Sequence, residues 1–142
     1  MTRYLALDVG DERIGVALSD ASGWLARPLE TIPRVAGSAS YERLCEIIVT
    51  HGVDAIVVGL PLLPGGGQGK QVDSTHAYVR GLKMHVDLPI HYWDERGSTQ
   101  RAQEIQIANR RSRRRQRRRI DAVAAAVILQ DFLDHQTGGA CE

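Results

Sequence analysis

Tyr4-Leu5-Ala6-Leu7-Asp8-Val9-Gly10-Asp11-Glu12-Arg13-Ile14-Gly15-Val16-Ala17-Leu18-Ser19-Asp20 is the stretch from which the fold of this chain can be read. An apolar run stops at Asp8-Val9-Gly10, as a buried strand does when it ends on an acidic residue. Asp11 and Glu12 supply a turn, and the run from Ile14 to Leu18 returns as a second strand that stops at Ser19-Asp20. Residues 24–32 read as a third strand, which Pro28 confines to a sheet edge. The opening is therefore an antiparallel meander.

Beyond it the period changes. Tyr41, Leu44, Cys45 and Ile48 recur at helical spacing, with Ser38 or Ser40 to cap the start and Gly52 to close the end. The β-branched run Asp54-Ala55-Ile56-Val57-Val58-Gly59 has the character of a buried parallel strand. A glycine-rich loop leads into a helix over residues 71–84, with Val72, Val79 and Leu82 inward, and residues 88–93 form another strand. Helices are expected over 98–108 and 120–133, the last with Ile120, Val123, Ala124 and Val127 on its inner stripe. Trp24 and Trp93 read as core residues. The order β-β-β-α-β-α-β-α-α predicts an α/β fold, a mixed sheet flanked by helices, in one domain over residues 1–135 with a flexible tail at 136–142.

Composition excludes several classes. The 142 residues are enough for a real core. No apolar run approaches the ~18 residues of a membrane span, and the first residues predict no secretory leader. Cys45 and Cys141 are too few for a disulfide framework or a zinc site. A cytoplasmic protein is expected. Gly69-Lys70 fails as a phosphate-binding loop, because Pro64 takes the place of its first glycine and Gln71 that of its metal-holding hydroxyl. The five histidines are scattered, with only His51 and His76 near the expected active face.

The net charge of +1 hides a strong polarity. Arg110, Arg111, Arg113, Arg114, Arg115, Arg117, Arg118 and Arg119, all within residues 109–119, are 8 of the 18 basic residues, and the 131 residues outside that stretch hold 10 basic against 17 acidic groups, a balance of −7. An acidic body with one dense cationic segment, read here as a loop mobile until it meets its ligand, points to a polyanion gripped locally. Arginine suits phosphate because its planar fork binds two oxygens at once.

Three acidic residues stand apart from ordinary surface charge. Asp8 and Glu95 each end an apolar strand, and Asp121 lies in the first turn of an alanine-rich helix that can approach the sheet closely. Gathered in one cleft at the carboxyl ends of adjacent parallel strands, three carboxylates repel one another unless a cation intervenes. Oxygen donors without Cys or His favour Mg²⁺ or Mn²⁺, and a pair of such ions is suited to phosphodiester hydrolysis. Taken singly, each acid also fits a turn or a helix start.

Four segments together, Leu5-Ala6-Leu7-Asp8-Val9-Gly10 with Arg13-Ile14-Gly15-Val16-Ala17-Leu18-Ser19-Asp20, Ile56-Val57-Val58-Gly59-Leu60-Pro61-Leu62, Trp93-Asp94-Glu95-Arg96 and Ile120-Asp121-Ala122-Val123-Ala124-Ala125, resemble the YqgF family, also called RuvX, of pre-16S rRNA nucleases and Holliday-junction-resolvase-like proteins. They occur in family order over residues 3–134. The resemblance implies a ribonuclease-H-like fold and a catalytic and metal-binding trio at Asp8, Glu95 and Asp121, with Asp8 bridging two ions. It implies a metal-dependent nuclease that processes the 5′ end of precursor 16S rRNA, with branched DNA as the alternative substrate and pre-ribosomal particles as partners. A non-catalytic RNA-binding assembly factor remains a rival, since the arginines alone would serve it. An actin-like nucleotide site would need two such domains. Arg13 and Arg96, beside the acidic segments, are candidates for holding a phosphate, together with the eight arginines; Asp94 alternates to the other strand face from Glu95. The chain departs from the family pattern at Gly97 and in Leu63-Pro64-Gly65-Gly66-Gly67-Gln68-Gly69-Lys70.

Overall fold

The computed structural model describes residues 2–60, 70–94 and 114–140. Five strands, β1 (Tyr4–Val9), β2 (Arg13–Ser19), β3 (Ala26–Pro33), β4 (Ala55–Leu60) and β5 (Ile90–Asp94), form one sheet in the order β3-β2-β1-β4-β5. The meander β1-β2-β3 is antiparallel, while β4 and β5 run parallel to β1. Helices α1 (Ala39–His51) and α2 (Lys70–Leu82) precede β4 and β5, and α3 (Arg114–Ala140) closes the fold.

Alternation along β1 divides the core in two. Leu5, Leu7 and Val9 join Leu44, Ile47, Val79 and Leu82 of α1 and α2 on one face. Ala6, with Ala17 of β2 and Val57 of β4, packs against Ala125, Ile128, Leu129, Phe132 and Leu133 of α3 on the other. The α3 side of the sheet is thus floored with small residues, and the helix lies close to it. Closest approach is at Gly15, where a Cβ would overlap the Asp121 carbonyl oxygen of the helix backbone. The overlapping atom is main chain, so the helix itself would have to move. Gly15→Ala is expected to destabilise the protein by about 2–3 kcal/mol, as overpacking of a filled core does, and denaturant unfolding measures it.

The inner stripe of α3 keeps Ala124 as expected but not the two valines, and the Ile120 side chain lies outside the described residues. Ala122, Ala124, Ala125, Ile128 and Leu129 are buried, whereas Val123 and Val127 are only partly so. Next to Gly15 the buried positions are alanines and the bulkier valines turn aside, while Ile128 and Leu129 pack against the sheet further along the helix. The helix also extends past both expected ends, starting at Arg114 and continuing to Ala140, so residues 114–119 are helical where a loop was expected and residues 136–140 continue the helix instead of forming a tail. Arginine is a good helix former, and like charges four residues apart cost only a few tenths of a kcal/mol each.

At the sheet edge, β3 starts two residues later than expected. Its register shifts between Val16, opposite Glu30, and Ala17, opposite Pro28. An irregular edge strand accommodates Pro28, which has no N–H for a ladder. Asp20 organises the preceding turn, its carboxylate accepting from the backbone N–H of Trp24 and Leu25 and from the Ser22 hydroxyl. Trp24 is left 57% exposed and is no core residue. Trp93, by contrast, packs edge-on against Phe132 of α3 at 5.6 Å between ring centres. Gly52 ends α1 in the left-handed conformation (φ 64°), as its position predicts. His51 sits at the opposite end of the sheet from Asp8, its carbonyl accepting from Arg3 of the strand start. The expected helix at 98–108 lies outside the described residues, of which no helix is long and apolar enough to cross a membrane.

Candidate active site

Asp8 is the last residue but one of β1 and shares its sheet face with Ala6, the face that α3 covers. In the β1–β2 ladder it stands directly opposite Gly15. Because the α3 backbone at Asp121 rests on Gly15, register and close packing together bring the two acidic residues to one place. The site lies at the carboxyl end of β1, where β2 leaves to one side and β4 pairs on the other. In open α/β sheets ligands bind at such points, where the strand order reverses.

Burial first, and then the nearby Asp121 carboxylate, together push the Asp8 carboxyl up to about 7. Among the described residues no hydrogen-bond donor and no cation meets Asp8. Asp121 is better placed. Its Oδ2 accepts from Arg13 Nε at 2.7 Å, and Arg13 also lies 3.7 Å from Glu12. The guanidinium expected to hold phosphate is therefore engaged with a carboxylate of the site, and it orients Asp121.

An Asp that prefers its proton in the folded state has consequences for stability. Between the ordinary value of 3.8 and about 7 the folded chain binds more protons at Asp8 than the unfolded chain does. Stability of the metal-free protein therefore falls as pH rises through that window, with about 4 kcal/mol as an upper bound at the usual conversion. Melting temperature measured from pH 4 to 8 is expected to show this contribution in the wild type and to lose it in Asp8→Asn, which should be the more stable protein at pH 8.

The end of β1 is held from the other side of the sheet by polar side chains that no sequence pattern announces. Gln71 Nε2 of α2 donates to the Val9 carbonyl at 2.7 Å. Arg34, just past β3, donates to the Gly10 carbonyl and to both the hydroxyl and the carbonyl of Ser74. Lone polar residues beyond strand ends leave no periodic signal, and nothing in the spacing singles these out.

β1 and β5 are parallel but not adjacent, since β4 runs between them. Glu95, Arg96, Gly97 and the loop of residues 61–69 lie outside the described residues, as do Arg110, Arg111 and Arg113. Arg114, Arg115, Arg117, Arg118 and Arg119 occupy the first turns of α3, leading directly into Asp121. Among the described residues no three Asp, Glu, His or Cys side chains gather into a metal-binding group; Asp8 and Asp121 form a pair.

A five-stranded mixed sheet in this order, with a carboxylate on its central strand facing one on the closing helix, defines a ribonuclease-H-like fold. RuvC of Thermus thermophilus shares it: in complex with a Holliday junction substrate, that structure matches with a TM-score of 0.57 at 14% identity, over 97% of each chain. The family model described as RuvX, Holliday junction resolvase, matches residues 2–135. A Roseiflexus protein named "Putative pre-16S rRNA nuclease" is 46% identical over 134 residues, covering 94% of this chain and 95% of its own. One of the same name from Moorella thermoacetica is 45% identical over 132 residues, covering 93% and 94%. The chain belongs to the RuvX family of nucleases.

Proposed function

We propose that this protein is a divalent-cation-dependent nuclease that trims the 5′ end of precursor 16S rRNA in the cytoplasm. One observation carries the reading: the Asp8 carboxylate is sheltered, without a cationic or hydrogen-bonding partner among the described residues, and repelled by Asp121. A protein that merely bound RNA would have no use for such a pair. Two oxygen-donor side chains in this arrangement fit Mg²⁺ or Mn²⁺. Glu95 is proposed as the third ligand, because it follows Trp93 by two positions and strand alternation favours the α3 face for it. Bound there, the cation would polarise a phosphodiester and make water more acidic.

The chain's own residues do the rest. Arg13 fixes one oxygen of Asp121 and leaves the other for the cation. The arginines of early α3 stand at the positive end of the helix dipole, where cations are unfavourable and phosphates are welcome. A nucleic-acid backbone laid there is led toward Asp8. Phosphate binding of this kind positions a strand and reads its shape more than its sequence. Arg96, Arg110, Arg111 and Arg113 are proposed to extend the same grip. The test is to replace the cell's copy with Asp8→Asn and map 16S rRNA ends. Accumulation of 5′-extended precursor is expected; normal ends with persistent four-way DNA junctions would move the activity to branched DNA.

A further inference from the structure

Apart from the carboxylate pair, the turn between β1 and β2 borders a second feature. A cavity of about 320 Å³ opens at this end of the sheet, on the side of α1 and α2, between that turn, the segment after β3 and α2. Its size is at the lower end of the range of small-ligand pockets. Tyr41 and Tyr78, with ring centres 4.8 Å apart, line it with the apolar Val35 and Ala77. Two charged groups also line it, Asp11 and Arg34.

Both are fixed in place. Arg34 lies 5.2 Å above the Tyr78 ring and donates to Gly10 and Ser74, while the Ser74 hydroxyl donates to Asp11 Oδ1 at 3.1 Å. After these bonds Asp11 Oδ2 has no partner among the described residues, and Arg34 retains N–H donors, Nε among them, beyond the three bonds it makes. Tyr78 is buried with Arg34 over its ring, and Tyr41 packs against Tyr78 and His85, so what the cavity offers is one carboxylate acceptor and one guanidinium donor, both held before any ligand arrives.

We propose that this cavity takes a guanine base. Guanine presents two adjacent donors, N1–H and the exocyclic amine, which a carboxylate accepts together, and it carries O6 and N7 acceptors for a guanidinium. Adenine sets a ring-nitrogen acceptor beside its amine on that edge, and uracil flanks its one N–H with carbonyls; a carboxylate is repelled by either. Asp11 follows Asp8 by three residues, at most about 10 Å of chain. A strand with a phosphate at the carboxylate pair therefore has a nearby base in reach of the cavity. This deepens the nuclease reading and rests on it for the base's place in a strand, but the recognition itself needs no cleavage.

The test is therefore a binding measurement. Calorimetry of the full chain with guanosine, adenosine, cytidine and uridine monophosphates covers the free nucleotide. Fluorescence anisotropy of an RNA hexamer with a single guanine, against the same hexamer with adenine there, covers the base in a strand. Asp11 and Ala77 are both exposed, so Asp11→Asn and a cavity-filling Ala77→Phe should fold. A guanine preference of about tenfold or more is expected, falling about tenfold or more in each variant, the effect of losing a charge-assisted hydrogen-bonded pair. Binding of the free monophosphate would make the ligand a nucleotide; preference in the hexamer alone would make it a base of the substrate strand. Equal affinity for all bases in both formats, or a preference untouched by the two variants, overturns the proposal. Asp8→Asn is expected to leave guanine binding intact, so a failed nuclease reading and a failed base site give different results.

Discussion

Asp8→Asn is expected to reduce cleavage by about 10²–10³-fold or more, the cost of removing one main electrostatic contributor to a transition state, while nucleic-acid binding persists. The expectation follows from the position of Asp8. Its carboxylate lies opposite Gly15, next to the Asp121 segment of α3, with no cation among the described residues to neutralise it. Asparagine keeps the shape and one oxygen but loses the charge that would draw a divalent ion. Asn at this position also relieves the repulsion with Asp121, so the fold gains rather than suffers. Gel assays of cleavage in Mg²⁺ and of binding in its absence separate the two effects.

The second large effect concerns the arginines. Replacing Arg113, Arg114, Arg115, Arg117, Arg118 and Arg119 together by Gln is expected to weaken binding at 0.1 M salt by about 10²-fold or more. It should also flatten the plot of log affinity against log salt by about 0.7–0.9 for each phosphate that is no longer neutralised. Gln has nearly the helix propensity of Arg, and removing like charges from the positive end of α3 favours the helix, so melting temperature should hold or rise. An unchanged slope would place the polyanion site elsewhere.

Much of the architecture is legible in the sequence because it is written in short-range pattern. Short apolar runs mark β1 and β2, and a strand ending on Asp8 puts that residue at the sheet's carboxyl edge. The alanines after Asp121 announce a helix able to approach closely. The phase of α3 is not legible: valine looks like the natural inner residue, but close to Gly15, where the helix backbone meets the sheet, Ala122, Ala124 and Ala125 are the buried residues. The start of α3 is hidden for a different reason. A run of like charges looks incompatible with regular structure, yet five of the arginines sit in the first turns of α3, because arginine favours the helix and like-charge repulsion four residues apart costs little. The pairing of Arg13 with Asp121 joins residues 108 apart in sequence, beyond any local pattern. Glu95 stands out in the sequence by ending a strand, the resemblance gives it the role of a ligand, and its place in the trio stays a proposal.

The central claim is that Asp8 and Asp121 hold a divalent cation. Mn²⁺ titrated into the full chain at pH 8 and followed by electron paramagnetic resonance tests it most directly, because free and bound ions are counted without a substrate. The wild type is expected to bind Mn²⁺ saturably, with affinity lost in Asp8→Asn and strongly weakened in Asp121→Asn. Equal Mn²⁺ binding by the wild type and Asp8→Asn would contradict the claim.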